Sequence, residues 1–101
     1  MTVLILSNSE DRFLITKAMY EATKHLKLKI KNIVLVKNNE AIKYIARIAQ
    51  VPLKKRLNEE EESVLKSVNA CIVIWDNYNE DTKRIIQLAK KQKLPTFVYQ
   101  I

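Results

Sequence analysis

Short polar side chains gather at three points of the chain, each directly after an apolar run. These points are Ser7-Asn8-Ser9, Lys37-Asn38-Asn39, and the stretch Asp76-Asn77-Tyr78-Asn79, which leads to Thr82 and Lys83. Hydroxyl and amide groups beside the start of a helix can hold an anion or a ribose, and the two lysines could neutralise its charge. The same residue types also cap helices for purely structural reasons. The pattern therefore allows a ligand site or capping alone.

Two aromatic residues accompany the third polar point. Trp75 ends the apolar run before it, where a nucleotide base could stack, and Tyr78 lies within the polar turn. A tryptophan in that position also packs well against a core or its edge. The sequence leaves both alternatives open for Trp75.

The remaining reactive residue types form no catalytic or metal-binding pattern. Cys71 is the only cysteine and lies within an apolar run, which is typical of a buried thiol. His25 lies among lysines, as expected of a surface histidine. The carboxylates of Glu59 to Glu62 are adjacent along a predicted helix and cannot converge on one ion, so they better match the positive end of that helix. We predict no metal and no cofactor, and a non-catalytic protein is favoured over an enzyme.

Five apolar runs of strand length alternate with four helical patterns. We predict strands over 3–6, 30–36, 51–53, 70–75 and 96–101, and helices over 10–26, 40–50, 58–68 and 81–93. Ser9 and the pair Asn38-Asn39 are expected to cap the first two helices, and Asn58 to open the third. Pro52 places the third strand at an edge of the sheet, because proline cannot donate a ladder hydrogen bond.

Helical spacing of apolar residues indicates which face of each helix is buried. The residues expected to face the core are Phe13, Leu14, Ala18 and Met19 of the first helix, Ala41, Ile42, Ile45, Ala46, Ile48 and Ala49 of the second, and Ile85, Ile86, Leu88 and Ala89 of the fourth.

Regular alternation of strands and helices with short connections predicts the architecture. Such connections are right-handed crossovers, so the strands form a parallel sheet with helices on both faces. We predict a Rossmann-like three-layer α/β sandwich, one domain over residues 1–101, with five parallel strands in the order 3-2-1-4-5. In open parallel sheets, ligands bind beyond the carboxyl ends of the strands. The three polar points should meet there, and the candidate ligand-binding residues are Ser7, Asn8, Ser9, Lys37, Asn38, Asn39, Trp75, Asp76, Asn77, Tyr78, Thr82 and Lys83.

The chain contains no glycine among its 101 residues. Phosphate-binding loops normally need glycine, because their backbone approaches the ligand closely and often adopts positive φ angles. A nucleotide-binding scaffold without glycine either binds by a different local chemistry or has lost its ligand.

The chain is basic, with a net charge of +7 and an isoelectric point near 9.6. Its lysines are spread along the sequence, mainly over 24–31, 54–56 and 90–93. This balance allows a nucleic-acid partner or an acidic protein partner, although lysine-rich helix faces are also ordinary solvated surface.

The composition is that of a globular protein, since apolar residues make up 48% of the chain. The longest apolar run is too short to span a membrane. The first six residues resemble a strand more than a signal peptide, because they lack a basic flank and a cleavage site. We therefore expect a cytoplasmic protein with no membrane partner, and a homodimer is possible.

A strand over 69–76, a polar turn to Thr82, a helix over 85–91 and Leu94-Pro95 before a terminal strand follow one another in the last third of the chain. This segment resembles the SLOG superfamily, Rossmann-like relatives of DprA and the LOG proteins, and within it the small stand-alone branch. Asp76 stands where that family has its Asp, and Thr82 where it has its Thr. The family's two glycines are replaced by Asn77 and Asp81, its serine by Asn79, and its glycine-rich loop after the second strand by the shorter Lys37-Asn38-Asn39.

The resemblance implies binding of nucleotides or nucleotide-derived ligands and, in some branches, cleavage of base–sugar bonds. Catalytic branches carry an acidic residue shortly after their Gly-Thr pair, where this chain has Lys83, Arg84 and Ile85. The resemblance therefore favours a non-catalytic member with degenerate glycine signatures.

Three functions follow as expectations. The first is recognition of a nucleotide-type ligand at the carboxyl ends of the strands. The second is a protein-interaction or inhibitor function of the kind that phage proteins have, with an acidic protein as partner. The third is binding of nucleic acid by the basic surface.

Overall fold

A five-stranded parallel sheet forms the centre of the molecule. The computed structural model describes residues 1–101 and contains the strands β1 (Thr2–Ser7), β2 (Asn32–Leu35), β3 (Leu53–Lys55), β4 (Ala70–Trp75) and β5 (Thr96–Gln100). They pair in the order β3-β2-β1-β4-β5, and every neighbouring pair is parallel. The predicted Rossmann-like α/β fold and its strand order are confirmed.

Four helices cover the two faces of this sheet, as predicted. They are α1 (Arg12–Leu26), α2 (Glu40–Ile48), α3 (Glu61–Lys66) and α4 (Glu80–Lys91). Buried residues of α1 and α2 pack into one apolar cluster, and those of α3 and α4 into a second. Residues of β4 alternate between the two clusters, because successive side chains of a strand point to opposite faces. The continuous apolar sequence of β4 thus reflects burial on both sides.

The first helix begins later than predicted. Asp11, not Ser9, is its N-cap and accepts a hydrogen bond from the Leu14 backbone N–H at 3.1 Å. The Ser9 hydroxyl instead accepts from the Asp11 N–H at 3.0 Å, within the turn that precedes the helix. Ser9 therefore shapes the approach to α1 and does not cap it.

The third helix is shorter than predicted and does not open at Asn58. Glu60 is its N-cap, without a side-chain hydrogen bond. Asn58 has a φ of 68°, in the left-handed region, so it bends the chain before the helix. This turn is bridged by Arg56, whose guanidinium lies 2.7 Å from the Glu59 carboxylate.

Three expected core positions are exposed. Phe13 is 91% exposed, and α1 buries Ile15, Ala18 and Ala22 instead. Residues 13 and 15 lie about 200° apart around a helix, so burying Ile15 turns Phe13 to solvent. In the second helix, which ends at residue 48 and not at 50, Ile48 is 67% exposed and Ala49 is also exposed.

The third strand follows Pro52 and does not include it. We predicted 51–53, whereas β3 covers Leu53–Lys55, because Pro52 has no N–H for the ladder. Its carbonyl still accepts from the Ile33 N–H at 2.9 Å. The edge position predicted for this strand is confirmed. The second strand is also shorter than the predicted 30–36, and covers Asn32–Leu35.

Five residues adopt the left-handed conformation in this glycine-free chain: Lys27, Gln50, Asn58, Asn77 and Lys93. Three of them lie one or two residues after the end of a helix: Lys27 after α1, Gln50 after α2 and Lys93 after α4. Glycine is the usual residue there, and a residue with a Cβ costs about 1–2 kcal/mol in this region.

Candidate functional site

The three polar loops meet at one edge of the sheet, where β1, β2 and β4 end. We call this edge the carboxyl rim and define it as residues 7–11, 36–40 and 76–82. Ser7 pairs in register with Ile74, so the loops after β1 and β4 leave the sheet side by side. The predicted convergence of the three loops is present, and hydrogen bonds between their side chains hold it together.

Asn8 joins the loop after β1 to the loop after β4. Its side-chain amide donates to the Thr82 hydroxyl at 2.9 Å, and its carbonyl oxygen accepts from the Asp76 backbone N–H at 3.2 Å. Its backbone N–H donates to the carbonyl of Ile74 at 3.0 Å. Thr82 is completely buried. The polar groups of Asn8 are therefore engaged within the fold.

Asn39 joins the loop after β2 to the loop after β1. Its amide donates to the Ser9 carbonyl at 3.0 Å, and its side-chain oxygen accepts from the Ile42 N–H at 3.1 Å, which caps α2. Only 4% of Asn39 is exposed. Ser9 is held further by Ser7, whose hydroxyl donates to its carbonyl at 2.7 Å and accepts from its N–H at 3.0 Å.

The loop after β4 is a compact turn built on Asp76. Its carboxylate accepts from the backbone N–H groups of Tyr78 at 2.8 Å and Asn79 at 2.9 Å, and these bonds lower the pKa of Asp76. Asn77 stands at a φ of 69°, in the left-handed region. Asparagine tolerates this conformation better than most residues, so the turn forms without glycine.

Trp75 belongs to this turn and to the core edge. Its indole N–H donates to the carbonyl of Asn79 at 3.2 Å, and its half-buried ring packs against the cluster beneath α4. Asn79 in turn caps α4 by accepting from the Thr82 N–H at 3.0 Å. Of the two alternatives for Trp75, packing at the rim is what the structure contains.

Lys37 of the carboxyl rim and Lys83, one residue beyond it on α4, differ in their environment. Lys37 donates to Asp81 at 2.6 Å, and Asp81 also receives Arg84 at 3.1 Å. The Lys37 bond first, and the Arg84 bond second, lower the pKa of Asp81. Lys83 is exposed and has no ion pair.

Two other candidates lie apart from the converged side chains. Tyr78 is 86% exposed and Asn38 contacts only the Glu40 carboxylate, at 3.4 Å. The rim thus brings together Ser7, Asn8, Ser9, Asn39, Asp76 and Thr82, and leaves Asn38, Tyr78 and Lys83 in solvent.

Acidic residues dominate the charge of the carboxyl rim. Six carboxylates lie there: Glu10, Asp11, Glu40, Asp76, Glu80 and Asp81. They match the positive N-termini of α1, α2 and α4. These carboxylates repel a phosphate group that approaches the edge, and the side-chain amides of Asn8 and Asn39 already have partners.

Two open hollows lie beside the carboxyl rim, with volumes of about 460 and 370 Å³. They share Glu10 and Arg12, and the first also includes Phe13 and Thr16. The second is completed by Glu40, Ala41, Tyr44 and Arg47. Neither hollow is lined by a residue predicted to bind a ligand. Our sequence reasoning missed this surface because it assigned Phe13 to the core.

The opposite edge of the sheet carries a second feature that the sequence did not reveal. Because the helices run against the strands, α1, α3 and α4 all end at the edge where the strands begin. Eight exposed lysines lie in the last turns of these helices and in the loops that follow, and we call them the amino-rim lysines: Lys24, Lys27, Lys29, Lys31, Lys66, Lys90, Lys91 and Lys93.

Backbone hydrogen bonds fix the loops of this amino rim against the sheet. The N-terminal ammonium of Met1 donates to the carbonyl of Lys29 at 3.1 Å, and the Lys31 N–H donates to the carbonyl of Met1 at 2.9 Å. Asn69, just before β4, donates its backbone N–H to the Thr2 carbonyl at 2.8 Å, and its side-chain oxygen accepts from the Thr2 N–H at 2.8 Å. The segments that precede β1, β2 and β4 are therefore adjacent.

The amino-rim lysines have no carboxylate partners. All five ion pairs of the structure involve other cations, namely Lys37, Lys43, Arg56 and Arg84. A helix C-terminus carries about −0.5 elementary charge, so the three helix ends offset only about 1.5 of the eight positive charges. Most of the charge at this rim is thus uncompensated.

The single cysteine and the single histidine take no part in the interactions described for the two rims. Cys71 is completely buried in β4, and burial raises the pKa of its thiol to about 12. His25 is exposed at the end of α1, with its ring 5.4 Å from that of Phe97. The predicted burial of Cys71 and surface position of His25 are confirmed.

Three broader observations concern the class of protein. No three histidine, cysteine or acidic side chains are grouped so that they could hold a metal ion. No helix combines the length and apolarity that crossing a membrane requires. Comparisons with protein-family models, with curated proteins and with solved structures give no match for this chain.

Proposed function

We propose that this protein is a non-catalytic nucleic-acid-binding protein that contacts the phosphate backbone through the amino-rim lysines. The observation that carries this proposal is the gathering of eight exposed, unpaired lysines at one edge of the sheet. They come from distant parts of the sequence, and the fold brings them together.

The chemistry of the amino rim matches phosphate better than it matches a protein surface. Protein interfaces are depleted in lysine and enriched in aromatic residues and arginine. Contacts to the phosphate backbone, in contrast, are made largely by lysine and arginine side chains. A rim that offers only lysine ammonium groups therefore suits binding that does not depend on base sequence.

The size of the molecule sets how much nucleic acid can lie across this rim. The principal extents of the chain are 31 × 28 × 26 Å. At about 3.4 Å per base pair, such an edge covers about eight base pairs of duplex. We expect four to six of the lysines to contact phosphates at one time, roughly half or more of the set.

The salt dependence of DNA binding tests this proposal directly. Fluorescence anisotropy of a labelled duplex is measured between about 50 and 200 mM salt. Four to six phosphate contacts give a slope of log K against log salt of about −4 to −5. A slope shallower than about −1, or no binding at about 50 mM salt, contradicts the proposal.

A matched pair of variants locates the binding edge. The first changes Lys27, Lys29 and Lys31 to Gln, and the control changes Lys17, Lys54 and Lys83 to Gln. All six lysines are exposed and unpaired, and both variants remove the same charge. The rim variant should lose up to about 2.7 units of the slope, and the control much less. Equal losses would assign binding to net charge alone and not to this rim.

A second candidate function is favoured by the convergence of the three loops at the carboxyl rim. We propose that a nucleotide-type ligand competes there for the polar groups of Asn8, Asn39 and Thr82, with Lys83 beside its charge. The internal hydrogen bonds of the rim and its six carboxylates favour an uncharged nucleoside part over a phosphate as the contacting group.

Thermal unfolding in the presence of nucleosides and nucleotides tests this second candidate. A ligand at about 100 times its Kd should add about 2.7 kcal/mol to the free energy of unfolding, which is a Tm increase of 10 °C or more for a chain of this size. No increase with any compound contradicts it. The Lys27, Lys29 and Lys31 variant serves as the control, because it leaves the carboxyl rim intact.

A further inference from the structure

Aromatic rings meet the amino-rim lysines at the place where α1 ends beside β5. His25 lies in the last turn of α1, and Phe97 is the second residue of β5. The centres of their rings are 5.4 Å apart, and the two ring planes are inclined by 53°. Because the rings do not lie face to face, they leave ring surface free for a third planar group.

An open hollow with a volume of about 350 Å³ lies at this pair of rings. We call it the His25 hollow, and its lining residues are Glu21, Lys24, His25 and Phe97. Lys24 and His25 are exposed, and Phe97 is half-buried. Sites for small molecules usually have volumes of about 300–1,000 Å³, so the hollow has room for one nucleotide base.

Lys24 connects the His25 hollow to the rest of the amino rim. Its ammonium lies 5.2 Å from the centre of the Tyr20 ring, so this lysine has aromatic neighbours besides those of the hollow. Lys27 follows it by three residues, and Lys93 precedes Phe97 by four residues, in the loop that enters β5. Cationic and aromatic side chains are therefore interleaved where α1 ends.

The charge within the hollow suits a base better than a phosphate. The Glu21 carboxylate is one of its lining groups and forms no ion pair. A carboxylate repels phosphate, but it accepts hydrogen bonds from the amino group of a base such as cytosine. Phosphates on either side of that base are left to Lys24 and the neighbouring lysines. The hollow and the lysines thus match two different parts of one nucleotide chain.

We infer that the His25 hollow holds one unpaired base of a single-stranded nucleic acid whose phosphates lie on the amino-rim lysines. The inference rests on the proposed function and specifies the form of nucleic acid that this rim prefers. Proteins that bind single strands combine a cationic surface with aromatic side chains on which bases stack. Bases inside a duplex are already stacked and paired, so they offer no face to the His25 ring.

Binding of His25→Ala to two forms of DNA tests the inference. The single strand is an oligodeoxycytidine of about 12 nucleotides, and the duplex has both ends closed by covalent linkers, so that it presents no base face. We expect the variant to bind the single strand about 5 to 20 times more weakly than the wild-type chain does, the lower part of the range for one stacked base, because Phe97 remains. Duplex binding should change by less than about twofold, because the lysine ammonium groups are unchanged.

Two further variants separate stacking from other effects of the substitution. His25→Phe keeps a ring without any charge, and should bind the single strand at least as tightly as the wild-type chain does. Tyr78→Ala is the matched control, because it removes an aromatic side chain that is 86% exposed at the carboxyl rim, and it should leave the binding of both DNA forms unchanged. The side chains of His25 and Tyr78 are exposed, so these variants keep their fold, as thermal unfolding verifies.

An introduced tryptophan reports the stacking itself. In His25→Trp, the added indole stands at the hollow, and its fluorescence should be quenched by the single strand and much less by the closed duplex. The native Trp75 ends β4 at the other edge of the sheet, so the wild-type chain supplies the background signal.

The outcomes distinguish failure of this inference from failure of the proposed function. Equal weakening of both DNA forms by His25→Ala would overturn the inference, and so would a His25→Phe variant that binds as weakly as His25→Ala. Equal quenching of His25→Trp by the two forms would overturn it as well. In these cases duplex binding and its salt slope persist, so the proposed function stands. No binding of either form at about 50 mM salt contradicts both.

Discussion

The two ends of the strands carry opposite charge and treat their polar groups differently. The carboxyl rim holds six carboxylates, and its asparagine, serine and threonine side chains are joined to one another across three loops. The amino rim holds eight lysines without a single ion pair. The carboxyl rim, which the sequence suggests as a ligand site, thus uses its Asn8, Asn39 and Thr82 side chains in hydrogen bonds within the fold. The lysines of the amino rim, which the sequence suggests as ordinary surface, have no carboxylate partners.

Parallel topology explains this asymmetry. Every helix that connects parallel strands runs against them, so helix N-termini gather at one edge and C-termini at the other. Acidic residues and caps are stable at the first edge, and lysines at the second. Charged groups from separate parts of the chain, such as the lysines of 24–31 and of 90–93, are therefore brought together into two opposed rims.

Among the variants that test the difference between the two rims, Asn8→Ala should have the largest effect on stability. The change removes the bonds to Thr82 and to the Asp76 N–H and leaves the buried Thr82 hydroxyl without its partner. We expect a loss of about 2–3 kcal/mol in the free energy of unfolding, measured by urea denaturation. Lys29→Ala, at the other rim, should cost less than about 0.5 kcal/mol. If the two variants are equally stable, the hydrogen bonds of Asn8 do not hold the loops of the carboxyl rim together.

Much of the fold was predictable from the sequence, since apolar runs and helical spacing reflect burial. The run over β4 predicted a strand buried on both faces, and Pro52 predicted an edge. Phe13 was assigned wrongly because, in a helix with several apolar residues, spacing alone permits more than one buried face. In the structure the face that carries Ile15 packs against the sheet, so Ile15 is buried and Phe13 is exposed.

The sites were less predictable than the fold. The meeting of the three polar loops followed from topology, but single hydrogen bonds such as Asn8 to Thr82, 74 residues apart, have no sequence signal. The amino rim could have been found by asking where each helix ends in a parallel fold. Lys29 and Lys91 are 62 positions apart, and only that question places them on one edge.

A fall in pH should reduce the stability that the carboxyl rim contributes, by less than Asn8→Ala does. Backbone N–H groups of Tyr78 and Asn79 lower the pKa of Asp76, and Lys37 and Arg84 lower that of Asp81. A lowered folded-state pKa contributes stability that is present above the unfolded value, near 3.9, and is lost as pH falls through the folded value.

Urea denaturation from about pH 5 down to pH 3 measures this loss. Asp76→Asn keeps the accepting oxygen but removes the charge, so its stability should fall less steeply with pH than that of the wild-type chain. An unchanged slope would mean that the Asp76 turn gains nothing from ionisation. Glu80→Gln is a control, because that carboxylate has no ion pair.

The smallest expected effect on stability comes from Lys27→Gly, which should stabilise the fold but remove a charge from the amino rim. Lys27 follows α1 at a φ of 53°, a position where glycine is free of the strain that a Cβ imposes. Lys27→Gly should therefore raise the free energy of unfolding by about 0.5 kcal/mol, after the larger backbone entropy of glycine in the unfolded chain is counted. The same change removes one amino-rim charge, so the salt slope of DNA binding should become shallower by about 0.9. Gln50→Gly, after α2 at a φ of 56°, should give a similar gain in stability and no change in the slope. If Lys27→Gly raises stability and leaves DNA binding unchanged, lysine at this position has no part in the proposed contact, and the unpaired rim is ordinary surface at that point.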